Sequence, residues 1–328
     1  MQPTSLVKLA LLTKGFRFVD FCAGIGSGHE AATNMGGVCV GFSEIDAKAK
    51  NTYQLLHGDW PDLGDLTKLD PAKIPDFDLM MAGFPCQTFS ILGKRDGMKD
   101  GRGMIIQYLG DILKQKQPKT FLFENVKGLV NHDGGRTLKI VIQILEEAGY
   151  DVNWKMYSSK FFGVPQKRER VYFLGVRKGC GGIPELPQKP VSGVSISDLL
   201  TGKYGKKFAP SQETWLDGYL KNRYNLGKKT RFDLTKLDSE KIIDIRQSDL
   251  RIFDGHCPTL RKGRQGLLYV RNGIIYNVTG VEGLMLQGFP ETKSKSVRGQ
   301  VSDTALLGQA GNAFTVQAIE AILKGIVL

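Results

Sequence analysis

Through its first 180 residues the chain alternates two kinds of segment, and this alternation constrains the fold more than any other feature. Short apolar runs rich in β-branched and aromatic residues ("FRFVDFC", "GVCVGFSE", "FDLMMAGF", "TFLFEN", "RVYFLGV") are separated by helix-like stretches over 27–35, 46–56, 104–116 and 136–148. In the last of these, Leu138, Val141, Ile142 and Leu145 share one face. Apolar strands joined by amphipathic helices predict an α/β fold, with a parallel sheet covered on both faces. No apolar run approaches the roughly 18 residues of a membrane span. The N-terminus has neither a basic n-region nor a small-residue cleavage site, so a cytoplasmic protein without a membrane partner is expected.

The pattern breaks at 180–192, where "CGGIPELPQKPVSG" holds three prolines and reads as a linker. The expected organisation is a large domain over 1–188, a smaller one over 189–280, and a tail over 281–328 that returns to the large domain. In that tail Val316, Ala318, Ile319, Ile322 and Leu323 form a helical apolar stripe. Of the formal net charge of +12, a net of +7 falls within 191–280, which has 16 Lys or Arg against 9 Asp or Glu. That bias favours a polyanionic partner, most simply nucleic acid. The five cysteines are widely spaced and contain no CxxC pair, so neither a disulfide framework nor a metal site is expected.

Ligands of open α/β sheets bind beyond the carboxyl ends of the strands, so the residues there are the first candidates for a site. The first run ends in "DFCAGIGSG", where Gly24, Gly26 and Gly28 permit a tight turn before a helix. The second ends at Glu44, 20 residues beyond Gly24, the spacing at which an acid grips a ribose diol. Asp65 follows a short third element, "MMAGF" leads to Cys86, and "TFLFEN" delivers Glu124 and Asn125. The dinucleotide fingerprint G-x-G-x-x-G fails, because His29 stands at its third glycine; the glycines equally suit plain packing of helix on strand. Most cysteines are small buried hydrophobes. Cys86, however, follows a rigidifying proline at a ligand-facing edge and opens a polar, glycine-punctuated basic loop. A thiolate with a carboxylic acid nearby suits attack on an electron-poor ring while the acid donates to a ring nitrogen.

Taken together, "DFCAGIGSG", "GFSEID", "GDLTKL", "GFPCQTFS", the "RG" at 102–103, "FENVKG", "GVPQKRERVYFLGV", "LQGFP" and "GQAGNAF" resemble the cytosine-C5 DNA methyltransferases of bacterial restriction-modification systems. The resemblance spans nearly the whole chain. It implies a Rossmann-like S-adenosylmethionine-dependent methyltransferase sheet with a second, smaller target-recognition domain over 189–280. By the same resemblance, Cys86 is the nucleophile toward C6 of a flipped-out cytosine and Glu124 contacts N3 and the exocyclic amine. Arg168 and Arg170 support the base and the acid. For S-adenosylmethionine it implies Gly24, Ile25 and Gly26 against the methionine part, Glu44 on the ribose and Asp65 on the adenine edge. Ile45, Leu66 and Pro85 would sandwich the adenine, and Asn312 would close the site. Residues 87–103 resemble the family's mobile catalytic loop, with Gln87, Ser90, Lys94, Arg95 and Arg102 as DNA contacts. In the recognition domain Thr259 is an expected backbone anchor, and Arg261 and Arg264 are expected DNA contacts. Arg246, Gln247, Lys262 and Gln265 are further base-reading candidates.

Two departures stand out. Cys22 occupies a position where the family usually has a phenylalanine that packs on the adenine, and "GVEGLMLQGFP" lacks the family's usual Arg-Glu-Cys-Ala-Arg. The first predicts weakened cofactor contact at Cys22, the second altered packing between domains. The expected partner is double-stranded DNA, bound by a monomer, with a cognate restriction endonuclease acting in the same system but not as a physical partner. The alternative carried forward is transfer-RNA cytosine-C5 methylation on the same fold.

Overall fold

The five apolar runs become strands of one six-stranded sheet. A computed structural model of the chain describes residues 11–85, 105–225 and 234–327. In chain order the elements begin β1 (Arg17–Phe21), α1 (Ser27–Asn34), β2 (Val38–Ser43), α2 (Ala47–His57) and β3 (Leu79–Gly83). They continue α3 (Ile105–Lys116), β4 (Thr120–Val126), α4 (Gly128–Asn131), α5 (Arg136–Glu147), β5 (Tyr150–Ser158), the two-residue β6 (Gln166–Lys167) and β7 (Glu169–Arg177). The sheet order is β2-β1-β3-β4-β7-β5. Phe18, Val19, Phe21, Met80, Met81, Phe121 and Phe123 are fully buried in its strands. On the helices, Leu138, Val141 and Leu145 of α5 and Ile106, Leu109 and Leu113 of α3 close the core around it.

The sheet is mixed rather than wholly parallel as the sequence predicts. Strands β1–β4 pair in parallel, but β7 lies antiparallel to β4. Only residues 159–168 join β5 to β7, too few for the helical crossover that a parallel neighbour requires. The apolar run of β7 looks the same in sequence whichever way it points.

Two compact units result. One takes in the described parts of Met1–Tyr157, Glu169–Lys189 and Ala318–Leu328, and the other takes in Ser158–Arg168 and Pro190–Gln317. Residues 178–195 carry no helix or strand. The second unit continues α6 (Ile196–Leu199), β8 (Lys206–Lys207), α7 (Pro210–Leu220), β9 (Lys241–Asp244), β10 (Arg251–Asp254) and β11 (Cys257–Pro258). Then come β12 (Leu267–Arg271), β13 (Ile274–Asn277), α8 (Gly280–Met285), α9 (Glu291–Ser296), α10 (Asp303–Asn312) and the start of α11 (Val316–Leu323). Its antiparallel sheet runs β10-β9-β12-β13-β8, over a core of Leu216, Ile243, Leu250, Leu268 and Val270.

The hairpin β12–β13 turns on Asn272 (φ 50°) and Gly273 (φ 73°), the left-handed pair that a two-residue turn demands. Helix α7 was not signalled by helical periodicity; it starts on a proline, with the Gln212 side chain accepting from Ala209 N. The unusual 280–290 segment forms α8 in the second unit, where Thr279 and Glu282 close a capping box and Gly280 N donates to Asp303. Among the described residues no helix is long and apolar enough to cross a membrane.

The β4–β7 register sets Gly175 opposite Phe121. A Cβ at Gly175 would lie 1.9 Å from the Phe121 ring, which is buried. Gly175→Ala is therefore expected to cost about 1–3 kcal/mol and to lower the melting temperature by about 3–10 °C in a thermal scan.

Candidate active site

Strands β3 and β4 bring their carboxyl ends level, with Gly83 beside Glu124 in the parallel register. Glu124 is the fifth residue of β4, and its side chain is 8% exposed. Such a carboxylate needs a compensating charge, and Arg170 supplies it from the next strand. The register places Arg170 opposite Val126. Glu124 and Arg170 are thus diagonal neighbours on one face, within reach of a long side chain. Arg170 Nε lies 2.9 Å from Glu124 Oε1, an ion contact without the alignment of a hydrogen bond. Arg170 Nη1 donates to the Glu169 carbonyl at 2.8 Å, which holds the guanidinium in place.

Asn125, the next residue, is 2% exposed. Its Nδ2 donates to the Phe84 carbonyl at 2.9 Å, and its Oδ1 accepts from Val126 N at 2.8 Å. This side chain ties the end of β4 to the exit of β3, two residues before Cys86. Cys86 itself, with Gln87, Ser90, Lys94, Arg95 and Arg102, lies outside the described residues.

The turn after β1 is built from left-handed backbone. Cys22 (φ 52°), Gly24 (φ 58°) and Gly26 (φ 78°) all adopt it, and Gly26 caps α1. Glu44 at the end of β2 fastens the turn. Its Oε2 accepts from Gly24 N at 2.8 Å, and its Oε1 accepts from Ile45 N and Asp46 N at 2.7 and 2.8 Å. Ile45 beside it is 74% exposed, Ile25 is buried, and Pro85 is exposed. Leu66 is buried in the core.

Asp65 caps a short turn, accepting from Thr67 N at 3.0 Å and Thr67 Oγ1 at 2.8 Å. These bonds, together with Lys68, hold its carboxyl below the usual range. Cys22 keeps part of its surface exposed, yet desolvation first, then the charges of Glu44 and Asp20, push its thiol up to about 12. A thiol so disfavoured as thiolate is no nucleophile at neutral pH.

In the second unit another group of expected residues converges. Arg168, 1% exposed, donates from Nη1 to Gly311 O at 2.9 Å and from Nη2 to Ala313 O at 2.6 Å. It thereby grips the chain on both sides of Asn312, whose own side chain is exposed. Thr259 Oγ1 donates to the Lys167 carbonyl at 2.7 Å, beside the β6–β11 pairing. Arg261 and Arg264 are exposed and line an open cleft with Lys206, Gln265 and Asn277. Arg246 is otherwise engaged. Its guanidinium meets both Asp244 oxygens at 2.9 and 3.0 Å, and its Nη1 donates to Thr259 O at 2.9 Å. With its side chain 5% exposed, it braces Thr259 rather than presenting a base-reading edge.

Sequence reasoning missed the layer beneath the glycine turn. Asp20, Tyr53 and His57 are buried there, with Asp20 Oδ2 accepting from His29 N at 3.2 Å. One signal was available: Tyr53 and His57 stand four apart on one face of α2. Asn125 was noticed at a strand end, but its clamp on Phe84 depends on a register that sequence does not reveal.

Comparison with known proteins settles the family. The model of the C-5 cytosine-specific DNA methylases matches residues 16–328. The chain belongs to this family. It is a DNA cytosine-5-methyltransferase by the same measure, with a Rossmann-like core and a second unit. Among its curated relatives are type II methyltransferase M.HpaII of Haemophilus parainfluenzae, 38% identical over 96% of this chain and 90% of that protein. Another is type II methyltransferase M.DsaV of Dactylococcopsis salina, 35% identical over 95% of this chain and 86% of that one. Solved structures of the same fold include S. pombe Dnmt2, with a TM-score of 0.67, 18% identity and coverage of 95% and 98%. The Entamoeba histolytica methyltransferase EhMeth superposes with a TM-score of 0.71 at 17% identity, over 95% and 98% of the two chains.

Asn125→Ala removes the Phe84 clamp while leaving the Glu44 turn intact. The methyl-transfer rate in single turnover is expected to fall at least about tenfold, as for a displaced reacting group, with binding of S-adenosylmethionine changed little by calorimetry.

Proposed function

We propose that this methyltransferase carries a methyl group from S-adenosylmethionine to C5 of a cytosine flipped out of a short, specific double-stranded DNA site, through a covalent Cys86–C6 adduct. The observation that carries the reading is the buried Glu124–Arg170 pair at the end of β4, level with Gly83 of the strand that leads to Cys86.

Cytosine is a poor electrophile at C6 until its N3 edge is held by an acid. Glu124, carrying a proton when the base is bound, donates it to N3 and accepts from the exocyclic amine, and Arg170 keeps the carboxyl group aimed. Cys86 Sγ adds to C6, and the electron pair of the C5–C6 bond becomes nucleophilic at C5. After C5 takes the methyl group, its proton passes to water, the Cys86 thiolate leaves C6, and N3 returns its proton to Glu124, which restores the aromatic ring. A base inside a duplex cannot present C6 to a thiol, so the nucleotide must leave the stack.

The turn of the first unit suits the methyl donor. Among the described residues nothing stands within 4 Å of the Cβ position of Gly24, which leaves open space against the backbone. Three backbone N–H groups orient Glu44, and a carboxylate has about four acceptor sites, so one remains for a ribose hydroxyl. The exposed Ile45 and Pro85 offer apolar surface for a purine ring. These residues fit S-adenosylmethionine, which supplies an electrophilic methyl on a sulfonium when bound. Gly24–Gly26 and Glu44 hold and orient it, with Asp65 on the adenine edge.

The second unit, which carries the basic 191–280 segment, reads the DNA. Thr259 contacts the DNA backbone, and Arg261 and Arg264 contact DNA from the exposed cleft. The type II relatives support membership of a restriction-modification system.

Incubation of plasmid DNA with the protein and S-adenosylmethionine, followed by methyl-sensitive sequencing, is expected to show methylcytosine at one short motif. Cys86→Ala should abolish the signal while retaining DNA binding; turnover by that variant would overturn the nucleophile. Methylation of transfer RNA but not of DNA would favour the RNA reading. Cys22→Phe should tighten S-adenosylmethionine binding several-fold, since an aromatic contact contributes about 0.5–1.5 kcal/mol. An unchanged dissociation constant in calorimetry would count against the adenine pocket.

A further inference from the structure

The glycine turn rests on a buried layer of aromatic and titratable side chains to which the reaction above gives no part. His57, near the end of α2, has a side chain that is 0% exposed. Its Nε2 lies 3.1 Å from the Ile25 carbonyl. A carbonyl only accepts, so Nε2 carries the hydrogen and donates it. The imidazole stacks on His29 with centroids 4.4 Å apart and an interplanar angle of 29°. His29 Nδ1 in turn lies 2.7 Å from the Tyr53 hydroxyl, and Tyr53 stacks on Phe42 at 4.0 Å. Trp60 Nε1 donates to the His57 carbonyl at 2.9 Å, and Glu30 Oε2 lies 3.7 Å from His57 Nδ1.

The ring therefore cannot drift, and neither can the backbone above it. A Cβ on Gly26 would sit 2.6 Å from His57 Nε2 and 2.7 Å from the Tyr53 ring. The turn is in contact with this layer at the left-handed Gly26, and it is hydrogen-bonded to it one residue earlier.

We propose that His57 is a positioning residue for the methyl-donor site, its Nε2–H holding the Ile25 carbonyl and its ring backing the left-handed Gly26, so that the turn keeps the form that Glu44 and the ligand engage. This rests on the reading of Gly24–Gly26 and Glu44 as the methyl-donor site. The physical need is conformational. Glycines visit many backbone states at little steric cost, so a turn built on Gly24 and Gly26 needs outside restraint to remain in one of them. Glu44 restrains it from one side through Gly24 N, and His57 restrains it from the other through Ile25 O. Without the His57 donor the turn spends less time in the competent form, and apparent affinity falls by that fraction.

The test compares His57→Met, His57→Gln and His57→Asn with Glu44→Ala, using S-adenosylmethionine as the titrant in calorimetry and steady-state kinetics on plasmid DNA. Glutamine places its amide nitrogen near the reach of Nε2, whereas asparagine is too short and methionine has no donor. Met and Asn are expected to raise the dissociation constant and KM for S-adenosylmethionine about tenfold, the usual effect of a lost donor. The KM for DNA and kcat should change little. Gln should restore binding to within about threefold of the parent chain.

A merely structural role would lower the melting temperature in all three variants without separating Gln from Asn. Equal affinities for Gln and Asn would therefore overturn the proposal, even if the Met variant fails to fold. Wild-type affinity in Glu44→Ala would instead mean that the donor site itself is misplaced. Weakened binding in Glu44→Ala with unchanged binding in all the His57 variants would leave that site standing and remove the role of His57.

Discussion

A carboxylate that is 8% exposed at the end of a strand demands a cation, and the pairing of Glu124 with Arg170 organises the proposed reactive edge of this enzyme. Breaking such a pair by removing one partner leaves an uncompensated buried charge, which is far more costly than the pair is stabilising. That asymmetry makes the antiparallel placement of β7 consequential. Only a strand lying beside β4 in this register can deliver Arg170 to the diagonal position. The short connection from β5 that reverses β7 is thus tied to the chemistry that the sheet can support.

The two ends of the site are restrained by different means. At the β3–β4 end, side chains from strands do the positioning: Asn125 clamps Phe84, and Arg170 aims Glu124. At the β1–β2 end, the proposed methyl-donor site, the groups offered are largely backbone, so the restraint comes from side chains around the turn. Glu44 accepts three N–H groups there, and the His57 layer supports the left-handed turn from below. A glycine turn allows close approach to a ligand only if something else limits its freedom. The buried aromatic layer performs that task in the first unit.

The second unit shows similar use of arginine as a brace. Arg168 holds the carbonyls that flank Asn312, and Arg246 holds Thr259 O while paired with Asp244. A planar guanidinium with five donors can satisfy two acceptors in fixed directions, which lysine cannot do. In the sequence Arg168 is an expected support of the base and Arg246 an expected base reader; the bracing that each performs is not legible there. Burial separates them from Arg261 and Arg264, which remain exposed on the cleft. Charge counts alone cannot make that division, because a buried brace and a solvated DNA contact have the same composition.

Much of the first unit could be read directly. Strands β1–β4, helices α1, α2, α3 and α5, and the glycine turn follow from periodicity and turn chemistry that act over a few residues. The Asn272–Gly273 hairpin obeys the same local rule, although it passed unnoticed within a run read as β-like. Membership of the family also followed from the order of short motifs, and the proposal for Cys86, Glu124 and Glu44 rests on the same motifs. The direction of β7, the helix α7, the Asn125 clamp, the Arg168 and Arg246 braces and the His57 layer did not. Each depends on groups brought together from distant parts of the chain by register and burial. Local sequence determines which backbone conformations are cheap and which side chains are present. Only the packed tertiary structure decides which of those side chains lose water, and it is desolvation that turns an ordinary Glu, Arg, Asn or His into a group that must be paired and therefore positioned.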